Sequence, residues 1–255
     1  MLGFTQILAP HAKLGAMHET NPCVYYEDFM NASVLGGANQ STIRMQKTGT
    51  VTISLASDVS GGVIRGVTGT TAGDAVALHT QSAFKVPGNA SGRELYFETR
   101  CKITSSTANL HHFYCGLQAD ASGVIEPDIT GSTRPAFQLM LQKATASLDM
   151  KFRASNGTNG SGEDDYHVDD TAAGALTDTG FDIVNGTYFT VGMHLVSTRG
   201  TTKAKIFCDG ELKITYEDNI PHDQLLVPFV YVEEAGGAEA CTMDCDYILC
   251  AETRV

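Results

Sequence analysis

Glu94-Leu95-Tyr96-Phe97-Glu98-Thr99-Arg100-Cys101-Lys102-Ile103 is the stretch that decides the fold. In an extended chain Leu95, Phe97, Thr99, Cys101 and Ile103 fall on one side, with Tyr96, Glu98, Arg100 and Lys102 on the other. The same period of two recurs in Phe137, Leu139 and Leu141; in Leu148, Met150 and Phe152; and in Phe189, Val191, Met193 and Leu195. It returns at the end of the chain, where Cys241, Met243, Cys245, Tyr247 and Leu249 are expected to share one face. No comparable stretch repeats at helical spacing. Strands of this kind bury one face each, so two antiparallel sheets must cover one another. The expected fold is an all-β, two-sheet antiparallel sandwich.

Outward from that stretch, strands are expected at about 51–56, 62–67, 75–79, 94–103, 112–118, 136–143, 147–153, 188–196, 203–208, 211–216, 225–232 and 240–250. The intervals suit one sandwich domain over 50–255. The 26 glycines sit mostly between the alternating runs, as turns require. At Asp209-Gly210 a plain two-residue turn would set Ile206 against Lys213. A bulged three-residue loop, with Gly210 left-handed, instead pairs Ile206 with Leu212, and it is the expected form. The stretch from Ser155 to Asn185 is too polar for a core and reads as one exposed loop.

Residues 1–49 differ. Gly3, Pro10, Gly15 and Pro22 divide the beginning, and Cys23-Val24-Tyr25-Tyr26 alone looks like a strand. This segment is expected to be an N-terminal assembly arm that covers Leu2, Phe4, Ile7 and Leu8 on a neighbouring subunit.

Seventeen basic residues against 29 acidic ones give a formal charge of −12, which disfavours nucleic acid as a partner. No apolar run reaches the roughly 20 residues that span a bilayer, so no membrane partner is expected. Seven cysteines are scattered along the chain. Cys241 and Cys245 on one strand lie roughly 13 Å apart, too far for a disulfide or a shared tetrahedral metal. Cys250 is expected on the opposite face, and all seven read as small buried thiols in a reducing compartment.

Chemistry has few candidates. Asp164, Asp165, Asp169 and Asp170, within the acidic run 163–170, supply oxygen ligands for calcium, but their spacing fits no calcium loop and a solvated charge run explains them. Asp244 and Asp246 share the outward face of the last strand and form the best carboxylate pair, read as the wet side of an edge strand. Glu94 and Glu98 stand too far apart to act together. His111 and His112 point to opposite faces, and His79, His167, His194 and His222 are dispersed. No catalytic residue, cofactor site or metal site is assigned. A sugar would have to rest on tyrosines such as Tyr25, Tyr26, Tyr96, Tyr114 or Tyr166, because the chain has no tryptophan.

Gly92 to Ile103 resembles the strand that opens the body of concanavalin A-like (laminin G-type) jelly rolls. Phe113-Tyr114-Cys115-Gly116-Leu117, Lys205-Ile206-Phe207-Cys208-Asp209-Gly210-Glu211-Leu212 and Met243-Asp244-Cys245-Asp246-Tyr247-Ile248-Leu249 resemble later strands of that fold. The catalytic Glu-x-Asp-x-x-Glu of the family's glucanases is absent. The resemblance implies a jelly roll of the kind found in structural proteins of tailed-phage virions. The expected function is therefore that of a noncatalytic virion component: a capsid decoration (cement) protein, made in the host cytoplasm. Such a protein would form a homo-oligomer, with a trimer the expected form, and meet the major capsid protein or other virion proteins. The alternatives are a carbohydrate-binding, lectin-like module with a glycan partner, a tail or fibre component, and a divergent glycosidase.

Overall fold

A computed structural model describes residues 23–29, 43–57, 62–80, 83–88, 92–105, 111–119, 135–144, 147–156, 177–198, 201–217, 220, 222–234 and 239–253. In chain order the strands are β1 (Cys23–Glu27), β2 (Ile43–Thr48), β3 (Thr52–Leu55), β4 (Ile64–Val67), β5 (Ala75–Thr80) and β6 (Phe84–Lys85). They continue with β7 (Glu94–Ser105), β8 (His111–Gln118), β9 (Pro135–Ala144), β10 (Ser147–Asn156) and β11 (Thr177–Asp182). The last are β12 (Tyr188–Thr198), β13 (Thr201–Cys208), β14 (Glu211–Tyr216), β15 (Leu225–Glu234) and β16 (Cys241–Glu252). No helix among the described residues is long and apolar enough to cross a membrane.

The strands form two antiparallel sheets. One, here sheet A, runs β14-β13-β12-β7-β16-β4-β3, with β1 also paired to β16. The other, sheet B, runs β11-β10-β9-β8-β15-β5-β2, with β6 paired to β15. Their inner faces meet in one continuous apolar core. Without tryptophan, that core is anchored by Phe29, Phe84, Phe97, Phe113, Phe137 and Phe152. Full burial of each contributes about 1.5–3 kcal/mol relative to exposure.

Two strands lie inside the first 49 residues and belong to the sandwich, so its first strand precedes the boundary expected at residue 50. β1 adds to β16 through the register Tyr25↔Cys250, and β2 adds to β5 through Met45↔Leu78. The pattern is short but sufficient: Ile43 is buried and Met45 packs against the core, while Arg44 and Lys47 are exposed. The rest of the expected arm lies outside the described residues. The stretch read as one loop, 155–185, likewise contributes β11, whose Thr179 Oγ1 donates to the Met150 carbonyl at 2.6 Å.

The last strand corrects the sequence reading most sharply. A bulge between Cys245 and Tyr247 inserts Asp246 opposite β7. Cys241, Met243 and Cys245 point into the core as expected, but the next inward residues are Ile248 and Cys250. Tyr247 and Leu249 pass to the outer face, and Cys250 joins the face that it was expected to oppose. The Thr99 hydroxyl donates to the Tyr247 carbonyl at 2.7 Å and so pins the bulge.

The Asp209-Gly210 turn also differs. Both residues have positive φ, 45° and 86°, as a two-residue primed turn requires, and Cys208 pairs with Glu211. The extra residue sits instead at Lys213, in a bulge one step further on, which sets Ile206 against Ile214. The buried face is still matched, but by a strand bulge rather than a longer loop.

Gly116 in β8 has a φ of 144°, and a Cβ there would stand 2.2 Å from the Phe137 carbonyl oxygen and 2.7 Å from Met193 Cε. Gly116→Ala is therefore expected to lower stability by about 2–4 kcal/mol, read from urea unfolding. An unchanged midpoint would contradict the packing described for β8 and β9.

Candidate functional site

The outer face of sheet A gathers most of the polar candidates read from the sequence. Alternation on β7 sends Tyr96, Glu98, Arg100 and Lys102 outward, and register supplies their neighbours. Lys102 lies opposite Tyr188 on β12 and Asp244 on β16, and Asp244 lies opposite Arg65 on β4. Arg100 lies opposite Thr190 and Tyr247.

Asp244 is fully buried. β16 is central at this point, flanked by β7 and β4, so the edge-strand reading of Asp244 is corrected. Arg65 grips its carboxylate with two donors, Nε to Oδ1 at 2.7 Å and Nη2 to Oδ2 at 2.8 Å, and Lys102 Nζ reaches Oδ2 at 2.7 Å. Burial alone would raise the Asp244 carboxyl, but hydrogen bonds from Arg65 and Lys102 outweigh it and hold the group below its ordinary value of 3.8. Asp246 projects from the bulge and accepts from Arg100 Nη1 at 2.5 Å. Both carboxylates of the best sequence pair are thus held by cations. Asp244 stays ionised and cannot act as the proton donor that glycoside hydrolysis needs.

Tyr188 lies beneath these cations, with Arg100 Cζ 4.4 Å and Lys102 Nζ 5.1 Å from its ring centroid. Its buried hydroxyl has no hydrogen-bond partner among the described residues. Burial, reinforced by Asp244 and Asp246, pushes that phenol up to about 12 and keeps it neutral. The array ends in solvent: the Arg100 side chain is 42% exposed and that of Asp246 28%. Among the described residues Arg100 forms one ion pair, through Nη1 alone. The other guanidinium donors and Asp246 Oδ1 make no further side-chain hydrogen bond among the described residues.

The other candidates on this face are committed to the fold. Glu98 is buried and accepts from the Tyr96 hydroxyl and, at 2.6 Å, from the Tyr247 hydroxyl. Burial first, then Glu98, raises both phenols well above the usual tyrosine range. Tyr26 packs on Tyr247 at 5.9 Å. Glu94 instead lies 2.9 Å from His194 Nε2, so Glu94 and Glu98 serve separate partners. Tyr25 packs against the inner core.

The outer face of sheet B carries Tyr114, Tyr231, Phe229, Gln118, Gln138 and Arg153. Arg153 Nε donates to Gln138 Oε1 at 2.8 Å, and Gln138 Nε2 donates to Gln118 Oε1 at 3.3 Å. Arginine only donates, so it fixes both amides and leaves Gln118 Nε2 as the end of the chain, without a partner among the described residues. Tyr114, Tyr231 and Phe229 are closed to solvent, at 4%, 5% and 0% exposure, and offer no open platform. His112 sits at the rim, 3.7 Å from Glu233. His79 and His222 face the backbone carbonyls of Thr80 and Pro87. Among the described residues no three His, Cys, Asp or Glu side chains form a metal site. Tyr166, His167 and the acidic run 163–170 lie outside the described residues.

Sequence reasoning placed Arg100 and Lys102 on the polar side of β7 but did not find Arg65 or Tyr188 as their partners. These come from strands remote in the chain, and only register brings them together.

Neither a protein-family model nor a curated protein sequence matches the chain. The fold, in contrast, is shared widely. Peanut lectin with a bound 9mer peptide superposes with a TM-score of 0.58 at 9% identity, over 92% of this chain and 98% of that one. The carbohydrate recognition domain of Emp47p gives 0.56 at 10% identity, over 89% and 94%. A protein of unknown function from Shewanella oneidensis MR-1 gives 0.55 at 18% identity, over 92% and 89%. The chain therefore has the concanavalin A-like jelly-roll fold, the architecture of these lectins.

Replacement of Asp244 by Asn leaves Arg65 and Lys102 around a neutral amide, at an expected cost of about 3 kcal/mol. This is modest for a buried ion pair because the cations remain 25% and 18% exposed. A carboxyl lowered by folding stabilises the protein above its unfolded value, and that contribution fades as the pH falls through the folded one. Urea midpoints of wild type and Asp244→Asn should thus differ clearly at about pH 7 and converge as the pH falls below the ordinary carboxylate range. A constant difference would contradict the ionised clamp.

Proposed function

We propose that this protein is a noncatalytic, carbohydrate-binding domain of the lectin type, and that it binds sugar through the outer face of sheet A. The observation that carries this reading is the half-exposed Arg100–Asp246 pair beside Tyr188. One group keeps donors unengaged and the other keeps an acceptor, side by side and fixed in place. Two neighbouring hydroxyls of a pyranose each need to donate and accept, and they complement such a pair. Charges alternate in sign across this face, as Arg65, Asp244, Lys102, Asp246 and Arg100, which suits a neutral polyhydroxyl ligand better than a polyanion. The lectin architecture supports the same reading.

A glycan array tests it. Wild type should bind a defined subset of glycans without cleaving them, and Arg100→Ala or Asp246→Asn should each weaken binding by about tenfold or more while the fold persists. Failure of every glycan to bind, or binding that neither variant weakens, would refute the site.

A second reading is the capsid-decoration role expected from the sequence, favoured by the margin of sheet A. There Val24 on β1 and Leu55 on β3 are 38% and 43% exposed, apolar surface that a second copy would cover. Light scattering discriminates: an oligomer dispersed by Leu55→Glu supports assembly, and a monomer at all concentrations removes this reading.

A further inference from the structure

Cys101 and Cys245 are far apart in the chain but directly opposite one another on β7 and β16. Both thiols are free, point into the core and are fully buried. The Thr99 hydroxyl lies 3.5 Å from Cys101 Sγ and 3.7 Å from Cys245 Sγ, so one side chain touches both sulfurs. Among the described strands no other two cysteines are register partners. The distinction is decisive in ångströms. Opposed residues on adjacent antiparallel strands have Cα atoms about 4.5–5.5 Å apart, inside the disulfide window of about 4.4–6.8 Å. Cys115 also approaches Cys101, but from sheet B, and facing sheets stand about 10 Å apart.

We propose that Cys101 and Cys245 are a latent cross-strand disulfide site, which closes when the chain folds in the presence of a small-molecule disulfide. The folded core excludes such a reagent from both sulfurs, so the exchange belongs to the folding chain. One cysteine thiolate attacks the reagent's S–S bond, forms a mixed disulfide and expels a thiolate. The second cysteine thiolate then attacks the protein sulfur of that mixed disulfide and expels the other half. The cysteines lose two electrons, the reagent gains them, and the two protons end on the released small thiols. The product ties the two longest strands of sheet A at their centre and restricts the unfolded chain through a long loop.

The full chain, unfolded under reducing conditions, is refolded either with a mixture of oxidised and reduced glutathione or with reductant alone. The glutathione sample should be about 2 Da lighter by intact mass. After alkylation its peptide map should join Cys101 to Cys245, and its urea midpoint should lie above that of the reduced sample. Cys245→Ser should show no loss of mass, and Cys245→Ala serves if serine prevents folding. Folded protein in which both cysteines are alkylated as free thiols would overturn the proposal. So would a bond from either one to Cys115 or to any other cysteine.

Discussion

Everything in this molecule is referred to the pairing of β7 with β16. These are its two longest strands, at 12 residues each, and they lie side by side in sheet A although about 140 positions separate them. Their inner faces supply Phe97, Cys101, Ile103, Met243, Cys245 and Ile248 to the core. Their outer faces supply Glu98, Arg100, Lys102, Asp244 and Asp246 to the polar array. The bulge at Asp246 is what lets a single pairing do both. It brings a second carboxylate against Arg100 and returns Ile248 and Cys250 to the core.

The ion pairs of the outer face act mainly as orientation. Desolvation offsets much of the attraction within the Arg65–Asp244–Lys102 cluster, so its net contribution to stability is smaller than its three short contacts suggest. What the cluster fixes is geometry. Lys102 is held over the Tyr188 ring, the ring is held beneath Arg100, and Arg100 is held beside Asp246. The exposed end of the array is therefore preorganised by a buried one. On this face the Asp244 carboxyl is held ionised by Arg65 and Lys102. The groups held most tightly are the least available for other contacts.

The architecture was legible because one-sided burial writes a period of two into each strand, and every strand expected from that pattern is present. Asp209-Gly210 shows where legibility ended: the turn position was plain, but the extra residue lay at Lys213. The bulge at Asp246 was invisible for a related reason. The alternation of Cys241, Met243, Cys245, Tyr247 and Leu249 continues without a break, and only packing against β7 reveals the slip. β2 and β11 were missed as strands because each offers few apolar side chains to a core supplied mostly by others. For the site, the residues of β7 and β16 could be read locally. Arg65, Tyr188 and the Cys101–Cys245 opposition depend on register between remote segments, which no local pattern encodes.

The most direct test of the account is a titration of the isotopically labelled protein with array-selected glycan, followed through the ring resonances of its tyrosines. The account predicts saturable shifts at Tyr188 on the outer face of sheet A, with Tyr114 and Tyr231 on sheet B unmoved. Shifts confined to Tyr114 and Tyr231, with Tyr188 unaffected, would contradict it.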